Sequence, residues 1–187
     1  MNSQTPIRTR EELVYQVEKG LRPKYLYFWG HTPPKNNQVS KSCFSQWFTA
    51  PFTLDDISYK TAEHYMMAMK AMLFQDTEVA EKIVACPTPS QAKRLGRTVK
   101  NFDEETWNAH RFEIVVKGNR AKFSQNESFL EFLLNTKERI LVEASPPDRI
   151  WGIGMAEDNP KAGNPKEWRG LNLLGFALME VRSNLTK

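Results

Sequence analysis

Between residues 61 and 134 the chain is a nearly unbroken succession of helix patterns, and this run constrains the fold more than any other feature. Thr61 has the chemistry of an N-cap, and AEHYMMAMK follows it with Glu63 in the first turn, where a helix dipole favours an anion. Further helices are expected over residues 77–85, 90–100, 104–123 and 127–134, punctuated by Pro87 and Pro89, with Asn126 as cap of the last. Another closes the chain over residues 173–183. Ahead of the run, Thr9 and Glu12 form a capping box for an amphipathic helix over residues 9–20, in which Leu13 and Val17 share a face and Gly20 ends it.

The remaining patterns are short and strand-like. LYFWG (26–30), CFSQWF (43–48), PFTL (51–54), ISY (57–59) and RILVE (139–143) are expected strands, with Asp55-Asp56 as a hairpin turn. A polar loop with Pro33 and Pro34 spans residues 31–42, and SPPDRIWGIGM (145–155) reads as a turn and a glycine-spaced loop. The expected class is α+β, mainly α: one helical domain with a small β-sheet over residues 24–187, preceded by an N-terminal extension, residues 1–23, with one amphipathic helix.

Composition excludes more than it assigns. No run approaches the roughly 18 apolar residues of a membrane span and the first residues carry no signal core, so a soluble intracellular protein, cytoplasmic or nuclear, is expected. Cys43 and Cys86 lie in no CxxC pattern, and His31, His64 and His110 are far apart, so no metal site, disulfide framework or cofactor is expected. A net charge of +4 hints mildly at anionic partners, as do Lys93, Arg94, Arg97 and Lys100 at helical spacing, and Lys117, Arg120 and Lys122 further on.

Within TAEHYMMAMK, Glu63 and Lys70 stand seven residues apart, almost two helical turns, and so share a face about 10.5 Å apart along the axis. Periodicity alone makes Glu63 a dipole partner and the methionines Met66, Met67 and Met69 core filler. The alternative is a carboxylate that moves protons beside an amine able to attack a sugar carbon. WGIG (151–154) has neither Walker nor GxGxxG spacing; it is a close-approach loop with Trp151 as a stacking wall, or a buried Trp beside a tight turn. In EWRGLNLLG (167–175), Trp168 and Asn172 bracket Gly170, giving an anion site at a helix N-terminus or an ordinary Asn172 cap. There is no GxSxG elbow.

Taken together, FSQW (44–47), TAEHYMMAMK (61–70), RAKF (120–123), DRIWGIG (148–154) and RGLNLLGFALMEVR (169–182) resemble the NADAR family, the YbiA-like N-glycosidases, in the right order over residues 24–185. The resemblance implies the YbiA-like fold and hydrolysis of a ribose N-glycosidic bond in substrates carrying a phosphate or ADP. ADP-ribosylated guanine in DNA, RNA or free nucleoside and early riboflavin-pathway intermediates are the family's substrates, and a lysine Schiff base is one associated route. On that basis Glu63 handles protons, Lys70 is the amine with Lys122 as runner-up, and Asp148 positions the sugar or a water. Phe28, Trp29, Ser45, Gln46, Trp47, His64, Tyr65, Lys122, Trp151, Gly152 and Asn172 are the expected substrate contacts. Ile153 stands where some members have an acidic residue, which favours ADP-ribosyl guanine, with ADP-ribose as product, over the riboflavin-pathway substrate. A non-catalytic ADP-ribose reader needs no paired acid and amine, and a helical adaptor would expose its methionine face.

Overall fold

A computed structural model describes residues 7–36 and 38–186. The first six residues of the N-terminal segment and Asn37 of the polar loop, on which part of the sequence reading rests, lie outside the described residues. The chain forms two compact units, one made of the described residues up to Trp29 together with those from Phe132 onward, the other of Gly30–Glu131.

The first unit is built on a parallel strand pair. β1 (Tyr25–Phe28) aligns with β4 (Ile140–Glu143), Tyr25 opposite Ile140 and Phe28 opposite Glu143. Parallel partners need a long connection, here more than a hundred residues, which no local pattern announces. α7 (Leu173–Leu185) packs on β4, burying Phe176, Ala177, Leu178 and Val181 completely. α1 (Arg10–Glu18) starts at the expected Thr9 and Glu12 capping box and buries Leu13. Arg10 donates to the Trp168 carbonyl at 2.7 Å, and Lys166 on the 3-10 turn Pro165–Glu167 meets Glu18 at 2.6 Å.

In the second unit, β2 (Phe52–Leu54) and β3 (Ile57–Tyr59) form an antiparallel hairpin. Its turn residues Asp55 and Asp56 both sit at positive φ, 52° and 62°, a backbone that short polar side chains tolerate. α2 (Ala62–Leu73) follows the Thr61 cap and is the centre of the unit, packed against α3 (Thr77–Ala85), α4 (Pro89–Gly96) and α5 (Glu104–Ser124). α6 (Glu127–Leu134) carries the chain back to the first unit. Among the described residues no helix is long and apolar enough to cross a membrane.

Three expectations are corrected. CFSQWF is not a strand: Lys41–Phe44 is a 3-10 turn, because Ser40 Oγ accepts from the Ser42 amide and Ser45 Oγ from the Trp47 amide, local bonds that compete with a ladder. The helix expected to reach Lys100 stops at Gly96, since the Thr98 amide and hydroxyl both close on the Leu95 carbonyl and the Lys100 amide donates to Asp76. Asn126 supplies its backbone carbonyl to α6, while its side chain donates to the carbonyls of Lys122 and Pro51.

Candidate active site

Segment 43–47 of the second unit is clamped from two sides. Its Gln46 carbonyl accepts from the Glu63 amide at 2.9 Å, in the first turn of α2. Its Cys43 and Ser45 carbonyls accept from Lys122 Nζ, near the end of α5, at 2.6 and 2.9 Å. Glu63 is 3% exposed and Lys122 0%. Burial pushes the Lys122 amine down to about 8, with the nearby Cys43 opposing it. A neutral amine has two hydrogens and a lone pair, so two carbonyls use both hydrogens and leave the lone pair over; the Phe123 ring at 5.3 Å favours the charged form instead. Ser45 and Trp47 are half-buried while Gln46 points inward.

Lys70, the amine that spacing pairs with Glu63, stands in the last turn of α2. Its Nζ donates to the Gly96 carbonyl at 2.8 Å and lies 4.1 Å over the Phe102 ring, with Trp107 at 5.8 Å. Partial burial lowers its pKa as well.

His64 and Tyr65 are core residues of the same helix. His64 Nε2 faces the Cys86 carbonyl at 3.1 Å, which only accepts, so Nε2 carries the proton and Nδ1 accepts from Thr61 Oγ at 2.8 Å. Burial lowers its pKa, keeping the ring neutral. The Tyr65 ring packs against Phe52 and Tyr59, and a Cβ on Gly118 would stand 2.4 Å from it. Met66 and Met67 are buried too, whereas Met69 is half-buried and Met72, near the end of the helix, is exposed.

Trp47 is flanked by the His31 ring, centroids 5.6 Å apart, and by Lys93 Nζ 5.8 Å from its own centroid. Asn119 donates to Gln46 Oε1 at 2.8 Å. Sequence reasoning missed His31, Lys93 and Asn119 as members of this group. Lys93 had a signal in the basic run at helical spacing, and Asn119 had one in its place three residues before Lys122 on the same helix face; His31 had none.

The other candidates belong to the first unit. Asp148 Oδ1 accepts from the Ile150 and Trp151 amides at 2.9 and 2.8 Å, closing the turn into WGIG. The glycines of that loop approach protein: a Cβ on Gly152 would stand 2.8 Å from the Glu143 carbonyl oxygen, and Gly154 holds φ 68° against Arg169. Asn172 is corrected as a cap. It precedes α7 in the left-handed region at φ 57° with no side-chain cap bond, and instead ties to β4 through the Glu143 amide and Leu141 carbonyl, both at 2.9 Å. Trp151 is half-buried, Phe28 fully buried and Trp29 exposed.

The family model described as NADAR domain matches residues 27–186. N-glycosidase R617 of Acanthamoeba polyphaga mimivirus is 43% identical over 164 residues, 85% of this chain and 95% of that protein. The riboflavin biosynthesis protein PYRR, chloroplastic, of Zea mays is 33% identical over 138 residues, 70% of this chain but 20% of that protein. The NMR structure of the E. coli protein YbiA superposes with a TM-score of 0.69 at 28% identity, covering 89% of this chain and 87% of that one.

Proposed function

The chain belongs to the NADAR family, and on that premise we propose that it is an N-glycosidase that removes ADP-ribose from ADP-ribosylated guanine, in nucleic acid or as free nucleoside. It is a hydrolase of N-glycosyl compounds, the class to which the mimivirus relative's name refers.

The observation that carries the mechanism is the clamp on segment 43–47, held on one side by the backbone amide of Glu63, whose carboxyl group is buried, and on the other by a buried amine of lowered pKa. The amine is assigned to Lys122, with Lys70 as the rival. A pKa of about 8 leaves roughly a tenth of the amine neutral at pH 7, against about one part in 2,500 for an ordinary lysine. Ser45 and Trp47, half-buried on either side of Gln46, are the residues of this segment nearest to solvent.

In this scheme Glu63, as the acid, protonates the departing guanine nitrogen while the neutral amine attacks ribose C1. The C1–N bond to the base breaks and the C1–Nζ bond forms. Glu63, now a carboxylate, takes a proton from the attached nitrogen and delivers it to the ring oxygen as the sugar opens to an imine. Water adds to C1 and one of its protons passes through Glu63 to Nζ; the neutral amine then leaves as Glu63 takes the other proton from the C1 hydroxyl, which gives open-chain ADP-ribose, restores the acid and leaves guanine intact. The half-buried Trp47, with Lys93 beside it, supplies a face for a base and a charge for a phosphate.

A guanosine-ADP-ribosylated oligonucleotide incubated with the protein should yield free ADP-ribose. A second reading, cleavage of phosphoribosylaminopyrimidine intermediates of riboflavin biosynthesis, is favoured by the maize relative. Ile153, fully buried between its glycines, offers no polar group in place of the acid found in some members. Release from the pyrimidine substrate and none from the oligonucleotide would establish the second reading; release from neither, with binding of ADP-ribose, would make the protein a reader.

A further inference from the structure

One donor and one acceptor beside the clamp are left over. Asn119, fully buried on α5, donates from Nδ2 to the Val115 carbonyl at 2.9 Å and to Gln46 at 2.8 Å. A carbonyl only accepts, so the Asn119 atom facing Val115 must be the nitrogen. With both of its hydrogens committed, the Gln46 atom it meets must be the oxygen, and the Gln46 NH2 is turned away. Gln46, 6% exposed, thereby keeps a buried donor, Nε2, and Asn119 a buried acceptor, Oδ1, and neither has a hydrogen-bond partner among the described residues. Buried groups of this kind cost stability unless something meets them.

We propose that the Gln46–Asn119 amide pair receives the ribose C2 hydroxyl of the substrate, with Gln46 as the specificity-determining contact and Asn119 as the residue that positions it. This rests on the reading of Glu63 and Lys122 as the groups that meet ribose C1. A hydroxyl both donates and accepts, so one group satisfies both leftover atoms; a phosphate or carbonyl oxygen only accepts. Gln46 lies between the Ser45 carbonyl that holds Lys122 and its own carbonyl, which holds the Glu63 amide, so its side chain leaves the stretch that brackets C1. The C2 hydroxyl is borne by the carbon next to C1, whereas the guanine lactam edge, which also pairs a donor with an acceptor, lies across the base. Neither partner is charged, which suits a neutral hydroxyl in a buried site. Asn119 reaches the substrate through Gln46 and its own carbonyl, and the two hydrogen bonds that its Nδ2 donates are what stop the Gln46 amide from turning over.

The test is calorimetric binding of ribose 5-phosphate and 2-deoxyribose 5-phosphate to the full chain, wild type and two variants. Gln46→Met removes the amide, and Gln46→Glu keeps an oxygen for Asn119 while removing the donor. Each should shift the ribose-to-deoxyribose preference toward unity by about 5- to 150-fold, the cost of leaving one buried polar group unmet. Comparing variants cancels the different ring-opening of the two sugars. A preference that is the same in wild type and a folded Gln46→Glu overturns the proposal. So does a wild type that binds neither sugar, or variants that change only guanosine-over-inosine discrimination, which would give the pair to the base edge. Release of ADP-ribose from the guanine adduct, measured in parallel, reports on the proposed function separately: sugar preference without release sinks that function and leaves this contact standing.

Discussion

Lys122 Nζ lies 2.9 Å from the Ser45 carbonyl oxygen, and the next carbonyl along the chain, that of Gln46, holds the Glu63 amide. The backbone of α2 and a side chain of α5 are thus fixed to adjacent peptide units of one turn. Segment 43–47 connects Glu63 with Lys122, whereas spacing along a single helix connects Glu63 with Lys70.

Glu63→Gln keeps the shape and hydrogen-bonding capacity of a residue that is 3% exposed. Loss of acid-base help should lower turnover of the guanine adduct by about 10²- to 10⁴-fold, roughly 3 to 5 kcal/mol of barrier, with ADP-ribose affinity little changed. Single-turnover kinetics alongside a melting curve check this. Near-normal turnover would return Glu63 to the part of a dipole partner.

His64 is held neutral between Thr61 and the Cys86 carbonyl, and burial lowers its pKa below the ordinary 6.5. As pH falls below 6.5 the unfolded chain takes up a proton that the folded one refuses, so this contribution to stability is complete above 6.5 and is lost as pH falls through the folded value. Denaturant melts between pH 7.5 and 5 should show a fall that is shallower in His64→Asn. Equal slopes would mean that the ring is not held neutral.

Gly175, in the first turn of α7, is where the helix meets β4: a Cβ there would stand 2.0 Å from the Leu141 carbonyl oxygen. Ala would gain about 1 kcal/mol of helix propensity elsewhere, yet Gly175→Ala should destabilise by about 1–3 kcal/mol, since the obstacle is backbone. Chemical denaturation measures it, and a stabilised variant would contradict the α7–β4 packing.

Trp47→Ala should weaken ADP-ribose binding by about 5- to 150-fold if the ring is a stacking wall, a contact typically giving ~1 to 3 kcal/mol. Trp151→Ala is the comparison, because its ring is also half-buried. Calorimetry on both folded variants decides which Trp the base uses; unchanged affinity in both places the base on neither.

What was legible in the sequence is what local chemistry decides. The Thr61 and Thr9 caps, the Asp55-Asp56 turn and the bounds Thr77–Ala85 and Glu127–Leu134 follow from residues within a few positions of one another. What was not legible depends on distant partners. CFSQWF reads as a short aromatic strand, but the side chains of Ser40 and Ser45 turn it and Lys122, 77 residues from Ser45, holds it. His64 looks like a ligand contact until Cys86, 22 residues on, accepts from its ring. Asn172 looks like a cap because its tie to β4 spans 29 to 31 residues.

The covalent step is tested most directly by borohydride trapping during turnover of the guanine adduct, followed by peptide mapping. The amine at about 8 predicts a stable adduct with the mass of ADP-ribose on the peptide carrying Lys122, absent in Lys122→Arg, which keeps a charge but forms no imine. An adduct on Lys70 instead would keep the covalent route and move the chemistry to the Gly96 and Phe102 notch. Active turnover with no adduct on either lysine would contradict the account, leaving water activated by Glu63 as the nucleophile and Lys122 as the clamp on segment 43–47.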